Sequence, residues 1–142
     1  METYIGTKQV KAKPMNRGDY NTYRGWVLPE NECAEDEGYL VEYLDGGKPN
    51  DNRHLGYISW SPKQQFENAY LTIGNLDNRS PHQQRVIAEK VLLDSKVDAL
   101  NSFIEINPLF NSLDSSEQER LERQSYIMRQ YSDVLSERIK AF

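Results

Sequence analysis

Two long helical patterns fill the second half of the chain, and each carries more apolar surface than one partner helix can cover. Ser80-Pro81-His82-Gln83 is a strong helix start: serine suits the N-cap, proline the first helical position, and glutamine can return the capping-box bond. The pattern behind it runs to about Ile106, and Pro108 ends it. Val86, Leu93, Val97, Leu100 and Ile104 recur at the spacing of one helix face, and Ala88, Leu92, Ala99 and Phe103 form a second, displaced stripe. After a short connection over residues 107–113, Asp114 and Glu117 cap another helix. It carries Leu121, Met128, Tyr131, Leu135 and Phe142 on one side, with Ile127 and Val134 beside them. A two-helix hairpin needs one stripe per helix. The second stripes can be covered by the N-terminal half or by other copies of the chain, and a homo-oligomer is the expectation.

The first half follows a different period. Residues 3–13 alternate loosely and suggest an edge-like strand that Pro14 stops. Asn16 with Asp19 is a capping pair for a short helix over 17–23. The stretch VLPENECAEDEG then reads as a loop. A strand over 39–45 places Leu40 and Glu42 on one face and Tyr39, Val41 and Tyr43 on the other. A Gly-rich loop leads to a second strand at 55–60, making a β-hairpin of uncertain register. Ser61-Pro62-Lys63-Gln64 predicts a capped helix through Tyr70, with Phe66 and Tyr70 turned to the sheet. The expected fold class is α+β: a small antiparallel β-sheet with short helices, followed by a long C-terminal two-helix hairpin. The β-rich part spans 1–78 and the hairpin 79–142.

At 142 residues, with 37% hydrophobic residues, a lone monomer would own a modest core. No eighteen apolar residues run together, and METYIGTKQV lacks the apolar region of a secretory signal, so neither a membrane span nor secretion is expected. Glu30, Glu32, Glu35, Asp36 and Glu37 match the whole net charge of −5. An acidic chain is a poor binder of DNA or RNA polymers, yet it leaves room for a pocket with two or three arginines. The one cysteine, Cys33, sits among these acids, where a thiol is inert.

Catalytic signatures are missing from the sequence. His54 and His82 have no second ligand at metal spacing, the acids at 30–37 lack the ligand alternation of a calcium loop, and neither a metal nor a cofactor is expected. A binding inventory remains. Tyr23-Arg24-Gly25-Trp26 joins a guanidinium to two rings, Tyr57, Trp60 and Lys63 form a similar set, and Arg120, Arg123 and Arg129 share a helix with Tyr126 and Tyr131. Rings stack on bases and guanidinium groups grip phosphates. The same residues serve equally as an aromatic core with a solvated basic face. Asn107-Pro108-Leu109-Phe110-Asn111 is a rigid turn; in an oligomer Phe103 and Asn111 could frame a base or ribose there, or form a simple turn over a core phenylalanine. The helix starts at Ser61 and Ser80 could hold a phosphate, although side chains already cap both.

The runs GYLVEYLDGG and GYISWSPKQQFENAY, with the opening YIGTKQVKAKPMNRGDY, resemble the small bacteriophage proteins of the N4/Sf6 early-gene family. The segment from Arg85 to Phe142 resembles a phage helical-hairpin domain. The two together are similar to the first class of Thoeris anti-defence proteins. The resemblance implies a non-enzymatic sponge in the host bacterial cytoplasm that holds a cyclic ADP-ribose isomer without cleaving it. It also implies a hexamer, with cyclic oligonucleotides held by some members at separate sites between protomers. On position within the matching segment, Phe103 and Asn111 resemble base- and ribose-contacting residues, and Arg129 a phosphate partner at a threefold junction. Arg123 joins them on physical grounds alone. The alternatives are a protein-binding inhibitor of a host defence enzyme, a hydrolase of the signal, and a structural phage protein.

Overall fold

The alternation around Leu40 and Val41 is realised as the central strand of a three-stranded antiparallel sheet. The computed structural model describes residues Met1–Phe142. Its elements in chain order are β1 (Val10–Pro14), α1 (Arg17–Arg24), β2 (Gly38–Tyr43), β3 (Tyr57–Pro62), α2 (Lys63–Ala69), α3 (Pro81–Ile106), α4 (Leu109–Ser112) and α5 (Ser115–Lys140). The expected α+β class is therefore observed, with the long helices at the C-terminal end. The chain forms two compact units, Met1–Tyr70 and Leu71–Phe142.

In the first unit the sheet order is β1-β2-β3. Period-two alternation puts Leu40, with Ile58 and Trp60 of β3, on the face that receives Tyr20 of α1. On the other face Tyr39 stacks on Phe66 of α2 at 4.2 Å, and Phe66 on Tyr70 at 4.9 Å, the arrangement expected from their spacing. Leu40, Val41 and Ile58 are almost wholly buried and anchor this small core.

The strand boundaries differ from expectation for identifiable reasons. β1 starts at Val10 rather than at residue 3, and it includes Pro14, which lies opposite Tyr39. An edge strand tolerates proline because one side of its backbone needs no partner. β3 begins at Tyr57 rather than residue 55, because the backbone N–H groups of Leu55 and Gly56 are taken by the Glu42 carboxylate at 2.8 and 3.0 Å. It then runs through Ser61, paired with Tyr39, to Pro62. The expected Ser61 cap of α2 is therefore not formed: Pro62 holds the N-cap position with no side-chain bond. Pairing across the sheet has overridden a local signal.

Helix α1 starts as expected, with Asn16 Oδ1 accepting from Asp19 N at 2.7 Å. The acidic loop folds back over its first turn, where Asp36 and Ala34 carbonyls accept from the N–H groups of Arg17 and Gly18, both at 2.9 Å. Gly25 ends α1 in the left-handed region at φ 70°, which returns Trp26 N to the Asn21 carbonyl at 2.8 Å.

The second unit is the hairpin of α3 and α5, joined through α4. Ser80 and Gln83 form the reciprocal capping box anticipated for α3. Gln84 Nε2 also donates to the Leu76 and Arg79 carbonyls at 3.1 and 2.9 Å, tying the preceding segment to the first turn. Ser80→Ala should lower the thermal stability of the hairpin by about 1 kcal/mol, read from a calorimetric melt, because it orphans the Gln83 N–H.

Candidate functional site

The hairpin seam is more polar than its sequence stripes suggest. Val86, Val97 and Leu135 are buried in it, with Leu93, Leu100, Leu121 and Met128 partly covered. Between these apolar layers lie two polar rungs. In one, Lys90 donates to Asp94 and to Ser132, both at 2.8 Å, and Ser132 Oγ donates to Asp94 at 2.5 Å. Burial pushes the Asp94 carboxyl up, but the hydrogen bonds from Lys90 and Ser132 outweigh it and hold the group below its ordinary value. In the other, Asn101 Oδ1 accepts from Ser125 Oγ at 2.6 Å and from Arg129 Nη2 at 3.0 Å.

Tyr131, expected on the inner side of α5, is instead exposed at the flank, where its hydroxyl donates to Glu89 of α3. Ile127 and Val134 lie four residues before and three after it, and Leu92 lies three after Glu89. Helical spacing therefore gathers all four on one broad face of the hairpin. Leu92 is 53% exposed, Ile127 55% and Val134 50%. The hairpin by itself leaves this second stripe uncovered.

At the tip of the hairpin, Phe103 is half-buried and meets the buried Phe110 edge-on at 6.1 Å. Asn107 Oδ1 accepts from Leu109 N at 3.0 Å, and Gln118 Nε2 donates to the Phe110 and Leu113 carbonyls at 3.1 Å each. These bonds fix the turn. Asn111 follows Phe110 and stands exposed on α4, so Phe103 and Asn111 belong to one local structure. Arg129 reaches α3 through Asn101, two residues before Phe103. Arg123 is exposed on a different face of α5 from Arg129 and makes no ion pair. Arg120 is turned along its own helix to Glu117. The tip thus presents a half-buried ring, an exposed amide and, further along the seam, a guanidinium held by one hydrogen bond.

The aromatic sets of the first unit are sorted differently from their sequence grouping. Tyr23 parts from Trp26: its hydroxyl lies 2.8 Å from His54 Nε2, while His54 Nδ1 lies 3.0 Å from Glu42 Oε2. With Nδ1–H directed to the carboxylate, Nε2 accepts from the Tyr23 hydroxyl. Arg53 covers the Tyr23 ring at 3.6 Å and grips Asp51, and that hydrogen bonding holds the Asp51 carboxyl well below the carboxylate range. No local motif announces the Glu42–His54–Tyr23 chain, since its members come from β2, a loop and α1. Its order of carboxylate, imidazole and hydroxyl is that of a nucleophile relay. Its work in the fold is mechanical, because Glu42 also holds Leu55 and Gly56. Lys63 pairs with Glu37 at 2.9 Å instead of joining Tyr57 and Trp60. No group of three or more His, Cys, Asp or Glu residues is placed to hold a metal ion, and no helix is long and apolar enough to cross a membrane.

Comparison with known proteins addresses the hairpin alone. Residues 80–141 match the family model Sequestin, so this unit is similar to a family whose name denotes sequestration. The matched segment begins at the capping serine of α3 and takes in the tip and the whole of α5. A binding rather than catalytic role fits that likeness. No curated protein and no solved structure matches the chain.

Proposed function

We propose that the chain is a phage anti-defence protein that sequesters a cyclic nucleotide immune signal, glyco-cyclic ADP-ribose or cyclic oligonucleotides, without cleaving it. It acts in the host bacterial cytoplasm as a homo-oligomer, a hexamer, and silences Thoeris signalling. The observation that carries this reading is the Sequestin match over a hairpin whose second apolar face stays uncovered. Phe103 offers a ring edge for a base, Asn111 an amide for a ribose, and Arg129 and Arg123 guanidinium groups for phosphates. A stoichiometric sponge needs a Kd below the signal concentration, and sub-nanomolar capture is about 12 kcal/mol or more. A small polar ligand reaches that by burial in a preorganised site, which a cleft between protomers can supply.

Native mass spectrometry with and without glyco-cyclic ADP-ribose tests assembly and capture together. The expected result is a six-chain mass that gains intact ligand, recovered unchanged on heating. A strictly monomeric mass with no adduct overturns the reading, and recovery of a cleavage product replaces it with a hydrolase. Arg129→Ala should weaken cyclic-oligonucleotide binding at least about tenfold while the six-chain mass persists, since a charge-assisted contact is lost. Disassembly of that variant would show that Arg129 is structural.

A second reading has one observation in its favour. Glu30, Glu35, Asp36 and Glu37 are all exposed and form an acidic surface suited to a basic protein partner. Capture of a host defence enzyme by the nucleotide-free protein would favour direct inhibition.

A further inference from the structure

The first unit contains a cavity of about 500 Å³ that the hairpin reading does not use. One face of α1 lines it: Arg17, Tyr20, Asn21 and Arg24 stand at the three, four and seven spacing that normally carries a helix's apolar stripe. The two arginines are two turns apart, about 10 Å along the axis. Trp60 of β3 and Trp26, just past the end of α1, complete the lining with Asn50 and Tyr57. Each arginine rests on an indole, Arg17 on Trp60 and Arg24 on Trp26, both at 4.4 Å. A side chain at Gly38 would overlap the Trp60 ring, so the strand itself is shaped to admit that indole.

The charges converge on an anion. Two guanidinium groups line the cavity; Glu32, also in the lining, pairs with Arg17, while Asp51, outside the lining, stands 3.9 Å from Arg24 Nε and is shared with Arg53. Glu32 reaches in from the acidic loop and sits 2.5 Å from Arg17 Nη1. Arg17 is nevertheless half satisfied, because its Nε is buried without a hydrogen-bond partner. A buried unpaired donor on a guanidinium marks capacity for a further acceptor, since such a group takes two oxygens side by side. Arg24 is held in place from behind by the Tyr20 hydroxyl at 3.1 Å, the Asn50 carbonyl at 3.2 Å and the Asp51 carboxylate at 3.9 Å. Trp26 is 53% exposed and offers a ring at the rim.

We propose that this cavity is a second binding site, separate from the hairpin, for a small mononucleotide-class ligand: a flat heterocycle bearing one phosphate. The heterocycle stacks at Trp26, the phosphate takes the guanidinium groups, and Glu32 is the internal carboxylate that the phosphate displaces from Arg17. The volume lies in the range of small-molecule sites. A pair of guanidinium groups in an otherwise acidic chain suits a monomeric nucleotide better than a polymer. The inference stands on the cavity alone and does not need the hairpin to bind anything.

The chain contains two tryptophans, and both line the cavity, so intrinsic indole fluorescence reports on this site alone. Titration of the full-length protein with AMP, followed by fluorescence and calorimetry in parallel, should give saturable quenching with the calorimetric midpoint. Adenosine and inorganic phosphate should each bind at least about tenfold more weakly, lacking one of the two contacts. Trp26→Ala, at an exposed rim position, should weaken AMP about tenfold while Trp60 still reports. Glu32→Gln should act in the opposite direction and tighten it about threefold by releasing Arg17. Calorimetric binding without quenching, no binding at millimolar AMP, adenosine as tight as AMP, or Glu32→Gln without effect each overturns the proposal.

Discussion

Leu135→Ala is expected to destabilise the hairpin by about 2–5 kcal/mol, the cost of emptying a fully enclosed leucine site. Leu135 is 0% exposed and sits between the polar Ser132 rung and the Ile139 turn of α5. Urea denaturation followed by helical circular dichroism, at one fixed protein concentration, would show the loss as a lower midpoint with an unchanged slope. Leu92→Ala is the matched control. Leu92 is half-exposed on the outer face, so its removal should change the unfolding of the isolated hairpin by less than about 0.5 kcal/mol. If that face is an oligomer contact, the same variant should instead shift the native mass distribution to smaller species. Equal losses from the two substitutions would mean that the outer face is as enclosed as the seam.

Glu42→Ala should remove about 2–4 kcal/mol from the first unit, because one carboxylate serves three donors. Leu55 N, Gly56 N and His54 Nδ1 all reach it between 2.8 and 3.0 Å. The pH dependence has a definite sign. Burial pushes the Glu42 carboxyl up, but the hydrogen bonds from His54, Gly56 and Leu55 outweigh it and leave it below its ordinary value of 4.5. A carboxyl lowered in the folded state contributes stability that is complete above its unfolded value. That contribution is lost as pH falls below 4.5 through the folded value. Stability of the first unit should therefore decline on acidification through that window. Glu42→Gln, which keeps an acceptor for the two backbone donors, should flatten the decline. An unaltered acid profile in Glu42→Gln would assign the decline to other carboxylates.

What the sequence disclosed and what it hid follow the range of the forces involved. Ser80 and Ser61 open the same four-residue signal, Ser-Pro followed by two polar residues with glutamine last in the first case and at the same place in the second. Only Ser80 caps a helix, because Ser61 is claimed by Tyr39 across the sheet. Capping is decided within four residues, whereas the strand pairing that claims Ser61 reaches back to Tyr39. The alternation of β2 was readable because a period of two fixes faces without knowledge of the partner. The tip residues Phe103 and Asn111 are close in sequence, and the turn between them keeps them in one local structure. The cavity was readable only at one end: Arg24 beside Trp26 stands out as a guanidinium–ring pair, whereas Arg17 looks like a solvated helix face until Trp60 meets it. Tyr23 and Trp26 looked like one aromatic group, but the left-handed turn at Gly25 sends Trp26 back towards Tyr20, which it meets edge-on at 6.1 Å. The polar rungs of the hairpin were equally hidden, since serine at 125 or 132 reads as exposed until an aspartate or asparagine faces it.

Those rungs have a consequence for how the hairpin can change shape. Apolar layers alone are nearly indifferent to sliding, because leucine opposite leucine looks much the same one turn along. Here a slip of one turn, about 5.4 Å, towards the start of α5 would set Asp94 against Met128 and Asn101 against Leu121, and would take Ser132 from Lys90 and Asn101 from Arg129. The two helices are therefore indexed, like the teeth of a rack. With the tip held by Phe103 on Phe110 and the open end by His82 on Phe142, the hairpin is a ruler of fixed graduation. Whatever docks along it meets spacings that were settled when the chain folded.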